Sequence, residues 1–188
     1  MQRAGPPPRR YEEHAYVLDF NPRGKSTTVR GREGTIITAI GEDRLTLLEV
    51  LGVDNVSFDV AERIYIGKEG RIKIVSVLGK MDYPSISNSA QTELPAVVET
   101  IVTNNEQRFV DYLNNARPLT PRIHALELIP GIGKTYMKAM LDERDRKRFD
   151  SYADLQERIG FKEPVKQISK RIMEEITGET RMNLFVKR

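Results

Sequence analysis

The chain has 188 residues, 39% of them hydrophobic, enough for one large domain or two small ones with separate cores. Cys 0 excludes disulfides and thiolate metal sites, and two histidines, His14 and His124, lie too far apart in sequence for zinc, so neither a metal nor another cofactor is expected. A net charge of +3 hides two basic ends around an acidic middle, +4 over residues 1–32, −6 over 33–116 and +5 over 117–188, a pattern shared by polyanion binders and by ordinary solvated surfaces.

No apolar run approaches the roughly 18 residues of a membrane span, and no apolar signal-peptide core follows MQRAGPPPRR. A soluble cytoplasmic protein without a membrane partner is expected. Residues 1–14, with Pro6-Pro7-Pro8 and Arg9-Arg10, read as a flexible basic arm.

Residues 15–81 read as a small β-barrel. The runs YVLDF (16–20), GTIITAI (34–40), RLTLLEVL (44–51), NVSFDV (55–60) continuing into RIYIG (63–67), and RIKIVSVL (71–78) are short, rich in β-branched residues and in part alternate with period two. Gly41-Glu42-Asp43 and Gly67-Lys68-Glu69-Gly70 suit hairpin connections. About five strands in some sixty residues predicts an OB-type barrel, with an SH3-like barrel as the alternative. Between the first two strands, FNPRGKSTTVRGR carries Arg23, Lys25, Arg30 and Arg32 without an acid. The corresponding loop of an OB-type barrel flanks the ligand groove, so these four cations are candidate phosphate contacts, against a plain solvated loop. Tyr16, Phe20, Phe58 and Tyr65 are candidate base-stacking residues, each also a core candidate.

Residues 82–117 read as a linker followed by connecting helices. The stretch 82–91 is polar and irregular, then Pro95 sits early in a helix striped by Leu94, Val97, Val98 and Ile101, and Asn104-Asn105 ends or dents it. ARPLTPR (116–122) is the expected domain boundary.

Residues 118–188 read as an all-α domain. TPRIHALELI predicts a helix with Thr120 as N-cap, Pro121 at the first helical position and Ile123, Leu126 and Ile129 at every third residue. Pro130-Gly131-Ile132-Gly133 is a tight turn, and a second helix is expected from Lys134 to about Asp145 with Met137, Met140 and Leu141 inward. The letters GKT do not make a nucleotide-binding P-loop, because Leu128 stands where that loop's first glycine belongs and no strand leads in. A helix, a glycine turn and a helix is the pattern of a helix-hairpin-helix unit. Its two glycines are expected to take positive φ or close approach, and the first N–H groups of the second helix can then meet a phosphate. Gly131, Ile132, Gly133 and Lys134, with Lys138 one turn on, are the candidate nucleic-acid contacts. SYADLQERIGFKEPVKQISKRIMEEI reads as a weaker second copy. Ser151 and Asp154 suit its first helix, Gly160–Glu163 its turn, and Val165, Ile168, Ile172 and Ile176 the inner face of a helix opened by Pro164. With one glycine left in its turn, this copy is assigned mainly to packing.

Catalytic signatures are absent. Asp142, Glu143 and Asp145 alternate with Arg144, Arg146, Lys147 and Arg148, as a solvated helix end does, and no nucleophile-elbow, zinc or dinucleotide motif occurs. Through ELPAVVETIV, LTPRIHALELIPGIGK and FDSYADL the chain resembles an uncharacterised archaeal family of predicted RNA-binding proteins, in which an OB-type barrel precedes a helix-hairpin-helix region. The resemblance implies that fold and a nucleic-acid role, and supplies no reaction or ligand. The expectation is therefore an α+β protein, a small OB-like barrel followed by a tandem helix-hairpin-helix domain, that binds nucleic acid without catalysis. RNA is favoured and DNA is possible. The alternatives are a protein-interaction or assembly module with a structural hairpin, and a DNA-binding subunit associated with a nuclease. The sequence leaves the oligomeric state open.

Overall fold

A computed structural model describes residues 11–188, so the prolines and arginines of the expected arm lie outside the described residues. The described fold is mixed α+β. Strands β1 (His14–Lys25), β2 (Glu33–Gly41), β3 (Leu47–Gly52), β4 (Arg63–Tyr65) and β5 (Ile74–Lys80) precede helices α1 (Asn88–Asn104), α2 (Glu106–Asn115), α3 (Lys134–Arg146), α4 (Tyr152–Ile159) and α5 (Pro164–Ile176). Single 3₁₀ turns cover Tyr83–Ser85 and Ala125–Leu128. The chain divides into two compact units, one reaching to Leu94 and taking in Phe185–Arg188, the other Pro95–Leu184. The expected boundary at 116–122 falls inside the second unit. No helix among the described residues is long and apolar enough to cross a membrane.

In the first unit the strands form one antiparallel sheet in the order β4-β1-β2-β3-β5. Its alternation places Ala15, Val17, Ile37, Ala39, Leu48, Val50, Ile64, Ile66 and Ile74 on the concave core face with Phe58. The run 55–60 is not a strand as expected. Asn55 and Ala61 take φ of 63° and 66°, which breaks the extended chain at both ends, and the intervening loop drops Phe58 into the core while Val60 stays exposed. No ladder joins β4 to β5 among the described residues. Arg71 bridges them instead, its guanidinium donating to the carbonyls of Ile66 (3.1 Å), Gly67 (2.6 Å) and Val75 (3.0 Å).

Helix α1 begins in the first unit, at Asn88, earlier than the sequence suggests, because Ser87 Oγ accepts from Ala90 N (3.1 Å) and so supplies the start signal inside the stretch read as linker. Pro95 consequently lies inside the helix rather than in its first turn. The expected helix over 120–129 is also different. Residues 118–124 form a small hairpin, with a bridge between Pro118 and His124, and only Ala125–Leu128 winds, as 3₁₀. His124 is the N-cap, accepting from Leu126 N (3.1 Å) while Glu127 accepts from His124 N (2.9 Å). Of the residues spaced by three, only Leu126 lies in the 3₁₀ turn; Ile123 belongs to the hairpin and Ile129 is the turn's extended C-cap.

The remaining helices follow their expected bounds closely, but of the expected inner face of α3 only Met140 is buried, Met137 and Leu141 being half-buried, and Val165 and Ile176 are half-buried on α5. Ser151 caps α4 by accepting from Asp154 N (3.0 Å), Gly160 ends it at φ 68°, and Ile168 and Ile172 are buried on α5. Buried polar links lock the second unit. Asn114 accepts from Phe149 N (2.8 Å) and donates to Phe149 O (2.9 Å), and Arg158 donates to the carbonyls of Glu143 (2.8 Å) and Lys147 (2.6 Å) at the end of α3.

Candidate nucleic-acid interface

The predicted contacts fall into two groups, one in each unit. In the second unit, residues 129–133 make a tight turn closed by Ile132 N donating to Ile129 O (3.0 Å). Its side chains separate by role. Ile132 is 2% exposed and anchors the turn in the core, while Lys134 and Lys138 are exposed. Gly131 takes φ +81°, which favours glycine, and a Cβ there would stand 3.1 Å from Cδ of the Gln167 side chain on α5, which would have to give by a few tenths of an ångström. Gly133 differs from expectation. It is the N-cap of α3 at φ −80°, ψ −179°, an ordinary extended conformation, and an added Cβ would meet nothing within 4 Å. Neither its backbone nor its neighbours demand glycine.

The start of α3 is electrostatically open. Gly133 provides no side-chain cap, and no acid occupies the first turn. The leading N–H groups and the positive end of the helix dipole therefore face outward beside the ammonium groups of Lys134 and Lys138. Gln167 against Gly131 brings α5 to this turn, and Tyr136 meets Phe161 at 6.3 Å between ring centroids, bringing the 160–163 turn alongside. Gln167, Tyr136 and Phe161 were not singled out from the sequence, because long-range pairing of two turns leaves no periodic trace. At the second turn Glu163, at φ 52°, precedes Pro164 as the N-cap of α5 and places a negative charge near that start, though its exposed carboxylate makes no cap bond and stands 4.0 Å from Lys166 Nζ.

In the first unit Arg23, Lys25, Arg30 and Arg32 are all exposed, and Lys25 makes only a surface pair with Glu33 at 3.7 Å. Their loop is held down. Glu49 on β3, 2% exposed, faces away from the core face of the sheet and accepts from Thr27 N (3.0 Å), Thr27 Oγ1 (2.9 Å), Thr28 Oγ1 (2.7 Å), Thr28 N (3.3 Å) and Ser26 Oγ. Burial pushes this carboxyl's pKa up, but the hydrogen bonds from Ser26, Thr27 and Thr28 outweigh it and hold the group below its ordinary range. Thr28 in turn packs where a Cβ on Gly79 of β5 would stand, 3.1 Å from its own Cβ. The hydroxyl triplet Ser26-Thr27-Thr28 facing a lone glutamate in a strand was the available sequence signal.

Of the aromatic candidates, Tyr16 and Phe58 are buried, and Phe20 packs edge-on against Phe58 at 5.9 Å between ring centroids. Tyr65 is 37% exposed. On α3, Glu143 pairs with Arg146 (2.7 Å) and Arg158 (3.3 Å), and no group of three or more potential metal-ligating side chains gathers among the described residues.

Comparison with known proteins bears on the whole chain. The uncharacterized protein MJ0038 of Methanocaldococcus jannaschii is 39% identical over 182 residues, which cover 96% of this chain and 82% of that protein. The crystal structure of Af1531 from Archaeoglobus fulgidus, described there as DUF655, is similar at a TM-score of 0.81 and 37% identity, over 94% of this chain and all of that one. The DUF655 family, described as a protein of unknown function, matches residues 11–187. With a match of that extent and relatives from two archaea, the chain belongs to the DUF655 family.

Proposed function

We propose that this protein is a non-catalytic nucleic-acid-binding protein, built from an OB-like barrel and a tandem helix-hairpin-helix domain, whose partner is structured RNA. The observation that carries the reading is the juxtaposition of two helix starts, drawn together by Gly131 against Gln167 and Tyr136 against Phe161, of which the one at α3 is uncapped, acid-free and flanked by Lys134 and Lys138. Backbone N–H groups at such a start, with a glycine that leaves room for close approach, suit a phosphate oxygen. Glu163 disfavours a second phosphate at the start of α5, so that turn supports the first rather than duplicating it. The exposed cations of the 23–32 loop supply a second contact region, set by the Glu49 hydrogen bonds. The choice of RNA over DNA rests on the family resemblance of the sequence.

A salt titration of RNA and DNA affinity tests it, using the intact protein, Lys134→Ala, and a variant with Arg23, Lys25, Arg30 and Arg32 neutralised. Lys134→Ala is expected to lower the salt-dependence slope by roughly one unit and to weaken binding uniformly across sequences. Identical affinities and slopes for all three proteins, or no binding to either polymer, would leave the turn a helix-packing device and favour an assembly module.

A further inference from the structure

An OB-type barrel takes oligonucleotides on the face of its second and third strands. In this chain that face is occupied. All six residues of β3 are buried, β2 is buried over most of its length, and Ser26–Thr28 roof Glu49. The open side of the sheet lies where β4 and β5 fail to pair, and it holds a groove of about 670 Å³. That volume is in the range of small-molecule and cofactor sites.

Leu48, Ile66 and Val77 form the groove's apolar lining. On its wall the Tyr65 ring lies across the backbone of Gly67, so closely that a Cβ there would run into the phenol, and glycine at 67 is what permits the pose. His14 meets the ring edge-on at 5.4 Å between centroids. Tyr65 is thus fixed by backbone and imidazole while more than a third of its surface remains open. Lys68, whose ammonium stands 5.0 Å from the Tyr11 ring, and Lys80 at the end of β5 are exposed on the same groove.

An added β-strand is a poor occupant, because Arg71 already takes the carbonyls of Ile66, Gly67 and Val75 along the gap. What remains for recognition is an immobilised aromatic face with ammonium groups beside it, the combination that holds an unstacked base and its phosphates. Glu12, Glu13 and Glu69 also line the groove and oppose a polyphosphate; Glu12 accepts from the backbone N–H groups of Asp43 (2.8 Å) and Arg44 (2.6 Å), and Glu69 can accept from the exocyclic amino group of a base. We propose that this groove binds one unpaired nucleotide of a single strand, the base stacked on Tyr65 and the flanking phosphates at Lys68 and Lys80. The inference rests on the nucleic-acid reading and deepens it, since a loop or free end of a structured RNA presents such a nucleotide.

The test uses the full chain with a single-stranded oligoribonucleotide carrying one 2-aminopurine, its deoxyribose counterpart, and a blunt duplex. Stacking on tyrosine quenches 2-aminopurine. Wild type and Tyr65→Phe are expected to quench both single strands alike, since neither stacking nor phosphate contact reads the 2′-hydroxyl. Tyr65→Ala is expected to abolish the quench and weaken single-strand affinity about tenfold, within the range for one stacked base. Lys80→Ala keeps the ring and is expected to lower the salt slope by about one. Circular dichroism checks that each variant is folded. Should Tyr65→Ala and Lys80→Ala both bind single strands as wild type does, while Lys134→Ala weakens RNA binding, the groove assignment is overturned and the nucleic-acid reading stands. Should the wild type bind no strand and no duplex, both are overturned.

Discussion

Glu49→Gln isolates one atom's worth of chemistry. Glu49 Oε1 accepts from Ser26 Oγ, Thr28 N and Thr28 Oγ1, and Oε2 accepts from Thr27 N and Thr27 Oγ1. Hydroxyl groups can turn and accept instead, but a backbone N–H cannot. With its NH₂ at the Oε2 position the glutamine amide would leave Thr27 N without its acceptor, whereas with its NH₂ at the Oε1 position it faces Thr28 N, which keeps Ser26 Oγ as an acceptor (3.2 Å), so the second orientation is the expected one. The charge-assisted bonds that are lost then cost about 1 kcal/mol. For a domain of about 60–100 residues, a loss of 1 kcal/mol lowers Tm by roughly 4–8 °C. The pH dependence has a definite sign. The carboxyl's pKa is held below its ordinary value by the hydrogen bonds that outweigh burial, so its contribution is complete above the unfolded value and is lost as pH falls through the depressed folded value. Wild type should exceed the variant in Tm near neutrality, and the gap should close in the acid range below about pH 4.3. Hydrogen exchange at Thr27 and Thr28 should accelerate in the variant. An unchanged Tm together with unchanged exchange at these two amides would refute the idea that Glu49 holds the loop.

Other variants probe the second unit. Gly133→Ser adds a capping hydroxyl at an extended position with open space, so it should raise stability by a few tenths of a kcal/mol, seen as a slightly higher Tm, yet weaken RNA binding by occupying α3's leading N–H groups; a gain in both would contradict a phosphate role. Asn114→Ala leaves the buried N–H and C=O of Phe149 unpaired and should cost about 2–4 kcal/mol, measured by denaturant unfolding. His124 titrates below its ordinary value through burial and the nearby Arg144, and its neutral Nδ1 accepts from Leu126 N. Its folded pKa being depressed, stability should fall as pH drops below about 6.5, and His124→Asn should flatten that dependence in thermal melts between pH 5 and 7.

Local signals were legible wherever local geometry decided the outcome. Ser151 with Asp154, Gly160 and Pro164 mark the ends of α4 and α5 as the sequence suggests, and Lys134 opens α3. Alternation located β2, whereas the alternation of Val56, Phe58 and Val60 belonged to a loop. Positive φ at Asn55 and Ala61 broke that strand; asparagine is enriched in that region and was a usable signal, whereas alanine announces nothing. At 120–129, helix-like spacing gave a 3₁₀ turn because Thr120 Oγ1 accepts from Arg122 N (3.3 Å) and Ile123 N (3.0 Å), bending the chain before a helix can start. In the candidate site, Lys134 and the loop cations were legible as charges. Glu49 as their anchor, and Gln167 and Phe161 as neighbours of the turn, depended on residues far apart in sequence.

Caps are unevenly distributed in the second unit. Ser151 caps α4 and the reciprocal His124–Glu127 pair caps the 3₁₀ turn, whereas α2, α3 and α5 start without a side-chain cap. Of the three uncapped starts, α2 carries Glu106 in its first turn and α3 carries no acid there. Gly133 leaves α3 bare although its φ and ψ would accept serine without strain, and α5 begins behind Glu163 in the left-handed region, a conformation that costs a non-glycine residue about 1 kcal/mol or more. These two less stable starts are the ones that Gly131 against Gln167 and Tyr136 against Phe161 bring side by side. Since α2 also starts without a side-chain cap, a missing cap alone does not distinguish a contact surface. What distinguishes α3 is the coincidence of an uncapped, acid-free start with Lys134 and with the neighbouring second turn, and the proposed phosphate contact rests on that coincidence.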